Sequence, residues 1–249
     1  DTYIPSGLSS EKRKNTNIND ALGEQISFSD EIFDYDSIPK LMNETTFYNT
    51  LVKPSNFSTK HLDNSKWILT ELSGFVDFTD AKLRKSYQMN ISGKNINFTN
   101  TQMSGSLILN NNLEDIILVS SNLNDSIIFN NNYKNITLSG CTFKNCNITN
   151  NQYNNIVGSE NDYTGSYIRT TNFANNLYRN NFTSTDISGI NLEGHILKQS
   201  IFDYAIITNA NFSGVNLESI EFKNNDLYGV NFTNATNNNS SVDFSTTQI

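Results

Sequence analysis

The chain predicts an all-β fold: a parallel β-helix of twenty-residue coils with a short α-helical N-terminal cap. Three observations carry that expectation. The first is an apolar residue at every fifth position. Stepping by five from Phe78 to Phe173, then after one four-residue step from Leu177 to Phe232, fills 29 of 32 slots with apolar or aromatic side chains. Hydrophobic residues make up 36% of the chain, so chance would fill about a third of them. A helix repeats near 3.6 and a flat strand at 2, so a beat of five means a short extended stretch followed by a regular corner. The second observation is a longer period of twenty. Ile96, Ile116, Ile136 and Ile156 form one column, Ile108, Ile128, Ile148 and Ile168 another, and Leu113, Tyr133, Tyr153 and Phe173 a third. The third is a recurring small or polar slot, held by Asn111, Asn131 and Asn151 and by Ser106, Ser126, Cys146 and Ser166. Four fives close a four-sided coil, and successive coils stack at about 4.8 Å, the spacing of paired strands. Residues 78–237 amount to eight coils, a rod of about 40 Å at that spacing.

The elements follow in order. Residues 1–37 mix charges, Ser and Asn with few periodic apolar positions, and read as an extended or partly disordered lead-in. Over 38–54, Ile38, Leu41, Met42, Phe47 and Leu51 suggest a short helix with Pro39 near its start, capping the exposed core and strand edges of the solenoid. Phe57, Leu62, Trp67 and Leu72 already keep the beat of five, and one extra residue separates them from Phe78, so the β-helix is expected over 55–237. After Phe232 the chain is polar, and a tail at 238–249 cannot cover a hydrophobic end; it folds back, or the native protein continues beyond Ile249.

Consecutive five-residue units at the C-terminal end, ANFSG (210–214), VNLES (215–219), IEFKN (220–224), NDLYG (225–229) and VNFTN (230–234), resemble the pentapeptide repeat family. That resemblance covers about two thirds of the chain and implies a right-handed quadrilateral β-helix in which the centre residue and the one two places before it point inward. Residues 96–173 depart from the family pattern by placing Ile, Asn, Ser, Thr and Cys where Ala is usual, so wider or less regular coils are expected there. Forty-three asparagines fit the same grammar, because Asn tolerates left-handed corners and can bond to its copy in the next coil. Sequons such as those at Asn97, Asn135, Asn147, Asn211 and Asn231 arise from it without marking glycosylation.

Charge narrows the partner. The net charge is −8, yet residues 78–237 carry twelve acids and ten bases while residues 1–77 carry twelve acids and seven bases. A DNA mimic that binds gyrase, one activity known in this family, needs its negative potential along the rod, and here the acidity lies in the lead-in. Direct nucleic-acid binding would need a basic stripe, which the coils lack. No run of eighteen apolar residues marks a membrane span, and no basic-then-apolar start marks a Sec signal. A protein partner is expected. By family analogy the reading is a non-catalytic scaffold, the targeting or substrate-recognition module of a secreted bacterial effector such as a HECT-like ubiquitin ligase. The DNA mimic is the alternative, and a β-helix enzyme a distant third. Such an effector resides in the bacterial cytoplasm before export into a host cell, where it serves virulence.

Chemistry is sparse. His61 stands alone, His195 falls in an inward slot as a hydrogen-bonded core residue, and Cys141 and Cys146 occupy inward slots as small buried thiols. Glu114 and Asp115 are solvated surface. No phosphate loop, zinc spacing or nucleophile elbow occurs, so no catalytic residue, cofactor or metal is expected. Two breaks in the rhythm supply candidate partner-binding residues. From Arg84 to Asn95, Gln88 and Gly93 occupy core slots, which suggests a bulge or outward loop flanked by Lys82, Arg84, Lys85, Tyr87 and Lys94. The four-residue step from Ala174 to Leu177 is the second, beside Tyr178 and Arg179.

Overall fold

A computed structural model describes residues 27–30, 32–34, 38, 40–169, 171, 173, 177–237, 242, 244, 246 and 247. The repeating unit explains the architecture. Each pentapeptide sends its centre residue into the core and then turns at a residue with positive φ. Asn110, Asp115, Ser120, Asp125, Asn130 and Asn135 all have φ between 53° and 60°. A β-branched side chain is strained there, whereas Asn and Asp are tolerated, so corner chemistry accounts for part of the asparagine-rich composition.

Successive coils pair in parallel. An 8-stranded sheet forms one side, running from Ser27–Ser29 through Tyr87–Met89, Leu107–Leu109 and Ile127–Phe129 to Tyr167–Arg169. Bridges from Tyr167 to Asp186, Ile206 and Asp226 prolong it. A 10-stranded sheet includes three strands of eight residues, Asn112–Val119, Asn132–Ser139 and Gln152–Ser159, each of which covers two sides. Another side is a ladder of single bridges from Leu41 through His61, Lys82 and Gln102 to Asn181. The register is twenty residues through the middle, as in Leu113 with Tyr133 and Tyr153.

The core is a set of stacked columns. Phe28, Phe47 and Trp67 stack at 5.2 and 4.0 Å, and Phe57, Phe78 and Phe98 at 5.1 and 5.0 Å. A third column runs Phe143, Tyr163, Phe182, Phe202 and Phe222, with centroids 5.0 to 5.2 Å apart. Phe244 joins it at 5.5 Å from Phe222, so the chain folds back over the end of the core at that residue.

Two expectations are corrected. Among the described residues there is no helix, and the expected α-helical cap at 38–54 is instead solenoid: Thr46–Tyr48 and Leu51–Val52 are strands. Pro39 lies outside the described residues. With one four-residue step between Ile38 and Met42, the beat of five reaches back to Phe28, Phe33, Ile38, Met42, Phe47 and Val52, all buried, whereas Leu41, which a helix would turn inward, is 37% exposed. The first described rung is therefore Ser27–Ser29, well before residue 55. The segment from Arg84 to Asn95 is not an outward loop either, because Tyr87–Met89 and Ser92–Asn97 pair in both sheets. The extra residue lies one coil earlier, at Ser73–Phe75, where Leu72 to Val76 spans one residue more than Gly93 to Ile96 above it. There Leu72 fills the space of the next coil: a Cβ on Gly93 would sit 2.6 Å from the Leu72 carbonyl oxygen. Glycine is required at that slot by packing, not by turning.

Candidate interaction surface

The inward polar slots form ladders that hold the middle coils together. Asn131 accepts from the Asn111 backbone N–H at 2.9 Å and donates to the Ile108 carbonyl at 2.9 Å. Asn151 does the same one coil later, accepting from Asn131 N–H at 3.0 Å and donating to Ile128 at 2.8 Å. These corners leave backbone groups unpaired, and the amide supplies the missing donor and acceptor inside the core. Cys141 and Cys146 belong to equivalent ladders, each thiol 3.0 Å from a carbonyl of the coil below. Burial pushes Cys141 up to about 12 and Cys146 to about 11, which keeps both as unreactive thiols. His195 is buried with its ring nitrogens 3.0 and 3.1 Å from the carbonyls of Glu193 and Phe173, a packed core residue. His61 is held below its ordinary value by burial first, then by Lys82 and Lys40. Among the described residues no group of His, Cys, Asp or Glu could hold a metal ion.

The sequence-selected residues do not converge. Lys82 sits in the single-bridge ladder beside His61, whereas Arg84 is occupied by an ion pair with Asp63. Lys85 is an exposed corner with φ 55°. Tyr87 lies in the 8-stranded sheet with its hydroxyl donating to Met89 Sδ at 3.3 Å. Lys94 belongs to the other sheet, at a shallow depression of about 350 Å³ lined also by Glu71, Gly74, Gly93, Glu114 and Lys134. Tyr178 and Arg179 do meet: the guanidinium stands 4.8 Å from the ring, and both donate to Gln199 Oε1. The residues before Leu177, at 174–176, lie outside the described residues. Rod carboxylates are paired across coils, Glu114 with Lys134, Asp162 with Lys144, Asp186 with Arg169 and Glu218 with Lys198, which breaks up the field a DNA mimic needs.

Of the surface that stands out, sequence reasoning selected only Tyr87. The outward residues of the 8-stranded sheet form two apolar columns, Tyr87, Leu107 and Ile127 beside Ile68, Met89, Leu109 and Phe129. Ile127 and Phe129 are 41% and 42% exposed, and Tyr48 extends the second column at 43%. Lys66 stands at one end and Arg169, with Asp186, at the other; no charged side chain faces outward between them on that sheet. The signal was present in LIL at 107–109 and IIF at 127–129, where the beat demands one apolar residue and the chain supplies three.

Residues 181–218 and 205–236 match the family model for pentapeptide repeats, in eight copies. No curated protein matches the chain by sequence. Among solved structures, the chain is similar to HetL, a pentapeptide repeat protein involved in heterocyst differentiation regulation from the cyanobacterium Nostoc sp. strain PCC 7120, at 14% identity over 90% of this chain and 85% of that one, with a TM-score of 0.27. It is also similar to QnrB1, a plasmid-mediated fluoroquinolone resistance protein, at 12% identity over 86% and 90%, with a TM-score of 0.35. The Streptococcus pneumoniae surface protein and adhesin PfbA aligns at 9% identity over 93% and 83%, with a TM-score of 0.25.

Proposed function

We propose, for a chain that carries pentapeptide repeats over 181–236, that it is a non-catalytic scaffold whose work is to bind protein. The observation that carries this reading is the uncharged apolar side centred on Leu107–Leu109. Scattered apolar residues on a surface need no explanation, but a contiguous, rimmed patch marks a contact surface. The reactive side chains support the same reading, since Cys141, Cys146 and His195 are packed into the core.

In its finer form the proposal makes this solenoid the targeting or substrate-recognition module of a bacterial effector, made in the bacterial cytoplasm and passed into a host cell. The support for that step is the resemblance of units such as ANFSG and VNLES to pentapeptide repeats, which effectors also use. The test is a photo-reactive phenylalanine analogue at Phe129 in cells that make the protein, with the same analogue at Lys144 as reference. A defined protein adduct at Phe129 and none at Lys144 sustains the reading. Equal labelling at both, or none at either, overturns it.

A further inference from the structure

The same side identifies its own occupant. We infer that the apolar face of the 8-stranded sheet pairs with its copy in a second chain, giving a side-by-side two-fold dimer. The inference rests on reading this face as a contact surface and names what covers it.

Three features favour a second copy. First, the face is flat and uncharged over three consecutive rungs, Tyr87–Met89, Leu107–Leu109 and Ile127–Phe129. What matches a flat apolar sheet without charges is another flat apolar sheet, packed at about 10 Å. Second, the pattern is self-complementary. A two-fold axis lying in the interface, parallel to the strands at the Leu107–Leu109 rung, reverses the order of the coils. Tyr87 then meets Ile127 of the copy, and Met89 meets Phe129. Lys66 falls opposite Asn147, and Tyr48 opposite Arg169, whose guanidinium already lies 4.6 Å from the Tyr167 ring. No like charges oppose each other, and an apolar centre is closed by a polar rim, as isologous interfaces require. Third, the size sets the strength. Seven rungs at about 4.8 Å by a side of about 13 Å cover roughly 450 Å² per chain, near 900 Å² in all. That is below the roughly 1,200 Å² at which stable specific interfaces begin and in the range of weak, transient contacts, so the dimer forms reversibly and fills only toward the upper end of the micromolar range.

The experiment is sedimentation of the purified chain from about 1 to 200 μM, as wild type and as Leu109→Lys and Phe129→Lys. The wild type moves from 28.1 kDa toward twice that mass with concentration, and both variants stay at the monomer mass with an unchanged circular dichroism spectrum. A wild type that remains monomeric throughout, or folded variants that dimerise as it does, overturns the inference. If the lysine variants unfold, Leu109→Cys with a short bismaleimide decides. Its thiol faces its own copy across the axis and cross-links to the dimer, while Lys144→Cys does not. Equal cross-linking at both positions, or none at 109, also overturns it. A monomeric wild type that still gives a heterologous adduct at Phe129 in cells would sink this inference alone; loss of that adduct as well would sink the contact-surface reading too.

Discussion

The coils of 86–169 and those of 181–236 solve one geometric problem by two chemistries. In the C-terminal coils the inward slot is mostly apolar, with Ile190, Ala205, Ala210, Val215 and Ile220 buried. Most corners there close on themselves: Ala205 N–H donates to Phe202 O at 3.0 Å, and Ala210 N–H to Ile207 O at 3.1 Å. In the middle coils, corners such as the one before Asn111 make no such bond, and the asparagine of the next coil completes them. The wider slot leaves the axis less filled. A cavity of about 50 Å³ runs among Met103, Ile108, Leu118, Leu123, Ile128 and Leu138. Closed corners thus accept Ile190 and Val215 as readily as Ala205, whereas an inward asparagine completes an open corner and ties neighbouring coils together.

Aspartate at Leu138 or Ile148, 6% and 1% exposed, is expected to unfold the middle coils, because an unpaired buried carboxylate costs several kcal/mol. Thermal melts read it, with Lys144→Ala as the surface control; a folded Leu138→Asp chain of normal stability would mean the beat of five does not mark the core. Asn131→Ala comes next, since it strands the Asn111 N–H and takes a donor from the Ile108 carbonyl. About 2–4 kcal/mol should be lost in urea titration, and a loss below ~0.5 kcal/mol would remove the ladder from the comparison.

The same change at Asn225 should act in the opposite direction. Asn225 is buried with neither amide atom partnered, because the Ala205 N–H beneath it is already given to Phe202. Asn225→Ala is expected to stabilise by about 1 kcal/mol; destabilisation of any size would show that closed corners also use asparagine.

The smallest effect is acid-linked. Burial alone would raise Asp186, but its hydrogen bonds to Arg169 and Ser188 and the Arg169 charge outweigh it and hold the carboxyl below its ordinary value. A lowered folded-state value contributes stability above the unfolded value, near 3.9, and that contribution disappears as pH falls through the folded value. The melting-temperature gap between wild type and Asp186→Asn should therefore be steady from about pH 7 to 5 and shrink below about pH 4. A gap that widens in acid would contradict the pairing.

Much of the fold was legible because the core repeats every five residues, and Phe78 through Phe232 could be placed without any contact map. The N-terminal coils were misread for a physical reason. Ile38, Leu41, Met42 and Phe47 fit helical spacing as well as a beat of five, and only the exposure of Leu41 separates the two. The extra residue at Ser73–Phe75 was visible as a six-residue step to Phe78, but its effect appears a coil later, at Gly93. The interaction surface was harder to read. Lys82, Arg84, Lys85, Tyr87, Lys94, Tyr178 and Arg179 mark breaks in the rhythm, and of these only Tyr87 lies on the apolar face, which runs on through the regular rungs beyond it. A search for irregularity cannot find a surface made by regularity.

The extra residue at Ser73–Phe75 has a consequence for how such a chain changes length. Val76 pairs with Ile96 and Asp77 with Asn97, so the coil regains its alignment within three residues and nothing downstream rotates. Phe75, 54% exposed, marks where the surplus was pushed outward. Each turn takes its alignment from the one beneath it, not from a count kept since the start. A copying error of one residue is thus absorbed by one corner and the slot stacked on it, while duplication of twenty residues inserts a whole layer and leaves each face as it was. Genes for such stacks can lengthen or shorten by whole layers while every intermediate still folds.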